Sequence, residues 1–170
     1  MLFRSNAYGR SKLVGEIGIQ THCPNAYIFR VQWVYGDRPA PHQSQHFIKT
    51  ISALADQRDE LSIVNDQWGS PTWSRDIADS VLAVLSISQD QSAAPGIYHL
   101  SNQGYTTWYD YADYFLKLLN KSCTLTPVDS SAFPRPAKRP QNGRLDISKL
   151  LNLNLKQPRK WQDAVTDFLS

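Results

Sequence analysis

Asn6-Ala7-Tyr8-Gly9-Arg10-Ser11-Lys12-Leu13-Val14-Gly15-Glu16 begins a helical pattern that runs from Tyr8 to about Gln20. Leu13 and Ile17 fall on one face of that helix, Tyr8 and Lys12 on another. Side chains four apart sit one turn from each other, so the Tyr8 phenol and the Lys12 ammonium are neighbours. A phenol with a pKa near ~10 is a poor acid or base at neutral pH. An adjacent ammonium favours the phenolate, moves the group toward the working range, and can bond the hydroxyls of a ribose. By itself the Y-x-x-x-K spacing is common on helix surfaces, so what surrounds it decides its reading.

Downstream the pattern alternates. Ala26-Tyr27-Ile28-Phe29-Arg30-Val31 reads as a short apolar strand, ended by a polar loop from Gly36 to Ser44. Phe47, Ile48, Ile51, Leu54 and Ala55 keep helical spacing, and Leu61-Ser62-Ile63-Val64 is a second strand closed by turns at Asn65-Asp66 and Gly69-Ser70-Pro71. Ser74 is the expected N-cap of a helix carrying Ile77, Val81, Leu82 and Leu85. Gly96-Ile97-Tyr98-His99-Leu100 follows as a strand, then a helix capped by Thr107 with Asp110 in capping-box spacing. The stretch from Phe133 to Arg144 holds Pro134, Pro136 and Pro140 and reads as an ordered or lid-like loop. Asp146 is the expected cap of a short helix, and Pro158 opens a last one bearing Trp161, Val165 and Phe168. The alternation implies an α/β protein whose strands belong to more than one small sheet.

The bulk properties narrow the class. A chain of 170 residues, 41% hydrophobic and 19% charged, is long enough to bury a real core and ordinary for a water-soluble domain. The formal net charge of +3 is too small and too dispersed to argue for nucleic acid as a partner. Its densest basic stretch, Arg135, Lys138, Arg139 and Arg144, suits a diphosphate equally well. Cys23 and Cys123 have no metal-ligand spacing and read as free thiols. His42 and His46 are four apart in a polar loop without further ligands, so no metal is expected, and His22 and His99 read as structural. No apolar run is long enough for a signal peptide or a membrane span, which points to the cytoplasm and to no membrane partner.

The Asn6–Glu16 segment closely resembles the active-site helix of extended short-chain dehydrogenase/reductases, and Arg30-Val31-Gln32-Trp33-Val34-Tyr35-Gly36 resembles the strand end that follows it there. Val64-Asn65-Asp66-Gln67-Trp68-Gly69-Ser70-Pro71-Thr72 narrows the likeness to the dTDP-4-dehydrorhamnose reductase family. The pattern continues, in collinear order, through residues 96–100, 106–112 and 139–146. The resemblance implies part of a Rossmann-like NAD(P)-binding fold, the C-terminal portion of a doubly wound parallel sheet, joined to a small α/β substrate-binding region. On that basis residues 1–60 are expected to belong mostly to the dinucleotide-binding part and 61–170 mostly to the substrate-binding part, with the two interleaved.

The resemblance also implies roles. Tyr8 would protonate the 4-keto oxygen of a dTDP-sugar, with Lys12 as its electrostatic partner and ribose ligand. Arg30 and Val31 would lie near the nicotinamide of NADPH or NADH. Trp33 matches a tryptophan that packs on the sugar, although a core tryptophan would suit the position equally well. Gln32 stands where relatives commonly have Ser or Thr. Turns alone account for the Asn65–Thr72 segment, and the proline-rich loop reads either as a cover for the diphosphate or as a plain surface connection.

No G-x-G-x-x-G follows an apolar strand in these residues, so nothing in them matches a phosphate-binding turn or the family's third catalytic hydroxyl. The expectation is a chain inactive or nearly so by itself, with an apolar edge beside the Ala26–Val31 strand left to a homodimer partner or an N-terminal half. A second reading is a reductase-like regulatory subunit, similar to that of methionine adenosyltransferase.

Overall fold

In a computed structural model the chain is described at residues 6–37, 45–89, 92–134, 136–137 and 139–170. Helix α1 (Ala7–His22) begins where the Asn6 side chain accepts from the Gly9 amide at 2.8 Å. It leads to β1 (Tyr27–Arg30), β2 (Val34–Tyr35), α2 (Phe47–Ala55) and β3 (Glu60–Val64). Two short strands, β4 (Trp68–Gly69) and β5 (Thr72–Trp73), precede α3 (Ser74–Ser88) and β6 (Gly96–His99). The remainder comprises β7 (Thr106–Thr107), α4 (Trp108–Leu118), β8 (Thr124–Val128), a 3-10 turn (Ser130–Ala132), α5 (Ser148–Leu151) and α6 (Trp161–Leu169).

Among the described residues the strands pair two by two, in line with the expectation of more than one small sheet. β1 runs parallel to β6, β2 to β5 and β3 to β8, while β4 lies antiparallel to β7. Parallel partners need long crossovers, and each of these pairs is separated in sequence by at least one helix.

Among the described residues two apolar cores result. In the first, Leu61 and Ile63 alternate inward from β3 against Ile48 and Ile51 of α2, Tyr111 and Phe115 of α4, and Trp161 and Val165 of α6. In the second, Val84 of α3, Leu100 and Leu150 of α5 pack under Tyr27 and Phe29 of β1. Each core draws on both sides of residue 60. Asp76, in the first turn of α3, accepts from the Arg159 guanidinium at 2.9–3.2 Å and from the Asn102 amide at 2.7 Å, fastening α3 to the approach to α6.

Several boundaries differ from the sequence reading, each for a local reason. Ser74 lies inside α3, not at its cap; Trp73 takes the extended N-cap conformation and offers no side-chain cap. Asp146 does accept from the Ser148 amide at 2.9 Å, but from one residue ahead of the cap position, which Ile147 holds. Pro158 precedes α6 without entering it, because Lys160 is the N-cap. The Asn65–Thr72 segment is more than turns: it carries β4 and β5 and so links β7 to β2. Strand β8 was not foreseen, its Thr-Leu-Thr-Pro-Val lacking a clean apolar alternation.

Both cysteines are free, Cys23 exposed and Cys123 half-buried. Among the described residues no helix is long and apolar enough to cross a membrane. The second edge of β1 pairs with no strand among them, and Val14, Ile17, Ile19 and Val31 are exposed on α1 and just past β1.

Candidate active site

Helix α1 buries none of its side chains fully. Tyr8 is 72% exposed, and the Lys12 ammonium stands 5.3 Å from the centre of its ring. The i,i+4 spacing thus brings the pair together and leaves both open to a ligand. Glu16, one further turn on, extends the same stripe. Its carboxylate takes both arms of the Arg30 guanidinium, Nε to Oε1 at 2.8 Å and Nη2 to Oε2 at 2.7 Å. These hydrogen bonds hold the Arg30 charge firmly on. The third guanidinium nitrogen lies 3.3 Å from His99 Nε2, and His99 Nδ1 lies 2.9 Å from the Asp146 carbonyl. Both ring nitrogens of His99 thus have partners, as a structural histidine requires. Arg30 therefore lines the site with its charge already engaged, while Val31, 41% exposed, faces outward beside it.

Trp33 adopts a left-handed backbone, φ +45°, uncommon for a bulky residue and found where surrounding structure enforces it. Its indole stacks on Trp108 with centroids 3.6 Å apart and planes 18° from parallel. A Cβ at Gly69 would come within 2.5 Å of the Trp33 ring, so only glycine fits there. The Trp33 backbone is fixed as well, its carbonyl accepting from the Thr72 amide at 3.1 Å.

These groups line one cavity of about 800 Å³: Tyr8 and Lys12 from α1, the segment from Ile28 to Trp33, and, from later in the chain, Gln67, Trp68, Trp108, Arg139 and Gly143. A second cavity of about 1320 Å³, between α2, β3 and the proline-rich loop, shares Gln67, Trp108 and Arg139 with the first. The loop is anchored at its end by Trp68, whose amide donates to the Gln141 carbonyl and whose carbonyl accepts from the Gly143 amide, each at 2.8 Å. Asp66 grips its start: its carboxylate accepts from the Ser130 hydroxyl at 2.7 Å and the Ser130 amide at 3.1 Å. Burial pushes that carboxyl up, but the hydrogen bonds from Ser130 and Gln141 outweigh it and hold Asp66 below its ordinary range. Arg135 and Lys138 of the basic stretch, and His42, lie outside the described residues. Among the described residues no group of His, Cys, Asp and Glu converges as metal ligands would.

The sequence reading named Tyr8, Lys12, Arg30, Val31 and Trp33, and all five border the first cavity. It missed the rest of the lining. Gln67 was read as part of a turn, yet it is buried between the two cavities. Trp108 was read as core, and it does pack on Phe47 at 4.5 Å, but it also carries the Trp33 indole. Gly69 and Gly143 gave no sequence signal beyond turn propensity; close approach, not a turn, is what requires Gly69.

The RmlD substrate binding domain model matches residues 5–170. The chain belongs to that family. Among relatives, the dTDP-4-dehydrorhamnose reductase of Escherichia coli (strain K12) is 37% identical over 172 residues, covering 97% of the chain and 56% of the relative. The spore coat polysaccharide biosynthesis protein SpsK of Bacillus subtilis (strain 168) is 32% identical, covering 95% and 53%. The chain spans about half the length of these relatives. Among solved structures, the dTDP-4-dehydrorhamnose reductase of Bacillus anthracis in complex with NADP superposes with a TM-score of 0.86 at 29% identity, over 96% of the chain and 55% of that structure. A UDP-glucuronic acid 4-epimerase from Bacillus cereus in complex with NAD, at 21% identity and a TM-score of 0.67 over 95% and 50%, shares the fold alone. The Rossmann-type α/β class inferred from the motifs is the one these RmlD-family structures have.

Proposed function

We propose that the first cavity is the keto-sugar site of an NADPH-dependent dTDP-4-dehydrorhamnose reductase, acting on the 4-keto group of dTDP-6-deoxy-L-lyxo-4-hexulose to give dTDP-L-rhamnose. The observation that carries this reading is the convergence of an exposed Tyr8–Lys12 pair and the Trp33–Trp108 stack on one cavity. Its volume suits a small ligand held mostly by apolar surface with a few polar groups.

A nicotinamide fits these residues: Tyr8 and Lys12 are open to the cavity, and Lys12 is placed to bond ribose hydroxyls. Reduced nicotinamide, when bound, supplies the hydride that the carbonyl carbon accepts. Tyr8 gives its phenolic proton to the oxygen that becomes a hydroxyl and regains one from solvent. Lys12 places positive charge beside that proton donor throughout. Arg30 and Val31 would border the nicotinamide, and Arg30 holds α1 through Glu16. The Trp33 indole offers an aromatic face to the deoxyhexose. The nucleotide diphosphate would lie toward the second cavity, under the proline-rich loop and beside Arg139. The relative bound to NADP favours NADPH over NADH.

Because no glycine-rich turn occurs in these residues, we expect this 170-residue chain to turn over little or not at all by itself. Loss of NADPH absorbance with the keto-sugar nucleotide tests this. Robust turnover would contradict the inactivity, and turnover that survived Tyr8→Phe would contradict the acid assignment.

A further inference from the structure

The side chain of Gln32 is not explained by the fold. Its Nε2 is buried and has no hydrogen-bond partner, although Gln32 lines the cavity shared by Tyr8, Lys12 and Trp33. A buried donor left unmade is costly, so a side chain of this kind persists where a partner offsets it. Its position is constrained: a Cβ at Gly143 would stand 2.9 Å from Gln32 Oε1, and Gly143 is held by the Trp68 carbonyl at 2.8 Å. The carboxamide is thus backed by a rigid turn on its oxygen side, while its N–H group lacks an acceptor.

We infer that Gln32 is a substrate-specificity residue whose Nε2 donates a hydrogen bond to an oxygen of the sugar ring. The inference rests on the proposed keto-sugar site and deepens it. Gln32 immediately precedes Trp33, whose indole is the proposed sugar platform, so a hexose on that platform brings hydroxyl and carbonyl oxygens within reach of its amide. Gly143, beside its oxygen, and Trp68, which holds Gly143, belong to segments that follow β3 and line the same cavity. Rotation of the carboxamide turns Nε2 from its buried position toward the cavity, where an acceptor on the sugar satisfies the orphaned donor without moving the backbone. Lacking the sugar, a nucleoside diphosphate gains nothing from Gln32.

Equilibrium dialysis of the chain with dTDP-L-rhamnose and with dTDP separates these contributions. Gln32→Met keeps the volume and removes the amide, and Gln32→Glu keeps the shape but replaces the donor. In both, affinity for dTDP-L-rhamnose should fall about tenfold, the worth of one hydrogen bond, with dTDP affinity unchanged. The Tm of ligand-free Gln32→Met should stay level or rise about 2–4 °C, because an unpaired buried group is gone. That opposite movement of stability and affinity is what a merely structural glutamine would not give. Equal losses for both ligands, no loss for either, or a fall in Tm accompanying the loss would overturn the inference. If the unaltered chain binds neither ligand, the keto-sugar reading itself fails, an outcome distinct from the others.

Discussion

Glu16 and Arg30 form a two-armed ion pair, at 2.8 and 2.7 Å, between the helix that carries Tyr8 and the strand that ends at the cavity. Both side chains are largely shielded, at 15% and 19% exposure, so solvent screens the pair poorly. Since α1 buries none of its own side chains fully, this contact sets where Tyr8 stands relative to the cavity.

Glu16→Ala should therefore cost about 2–3 kcal/mol, the worth of charged hydrogen bonds lost from one partner. The loss should be local. Amide exchange across Ala7–His22 should speed up while α4 and α6, in the other core, keep their protection. A uniform loss of protection would contradict the local role.

Gly69→Ala tests the tryptophan stack. The added Cβ meets the Trp33 ring at 2.5 Å, so the indole stacked on Trp108 must shift. Overpacking of this kind costs about 1–3 kcal/mol. The near-ultraviolet circular dichroism of the stacked indoles should weaken, and affinity for dTDP-L-rhamnose should fall with it. An unchanged spectrum would show that Trp33 is not held as described.

His46 predicts a pH dependence. Burial lowers its pKa below the ordinary value, Asp37 pulls the other way from 3.8 Å, and Lys49 adds to the lowering. As pH falls through about 6.5 the unfolded chain takes up a proton that folded His46 resists. The stabilisation is thus complete above that pH and is lost progressively as the pH falls toward the folded value. Between about pH 7.5 and about pH 5.5 the wild-type Tm should drop more than that of His46→Leu. Equal drops would contradict the assignment.

The helices and principal strands were legible because their apolar periodicity is strong: α2, β3 and α4 sit where Phe47–Ala55, Leu61–Val64 and the Thr107 cap put them. Thr107 does cap α4, its hydroxyl accepting from the Asp110 amide at 3.1 Å. The short pairings β2–β5 and β4–β7 were not legible, since two-residue strands carry no period and exist only because distant segments meet. The site divides in the same way. Tyr8 and Lys12 are local, one helix turn apart, so their proximity is legible from spacing alone, while their role follows only from the motifs around and after them. The remaining lining, Gln67, Trp108 and Gly143, is assembled by tertiary contact, and its residues resemble ordinary core and turn positions in sequence.

The most direct test is calorimetric titration of the 170-residue chain with dTDP-L-rhamnose and, separately, with NADPH. The account predicts weak but saturable binding of the sugar nucleotide, lost in Trp33→Ala, and still weaker binding of NADPH. No binding of the sugar nucleotide, or binding untouched by Trp33→Ala, would contradict it.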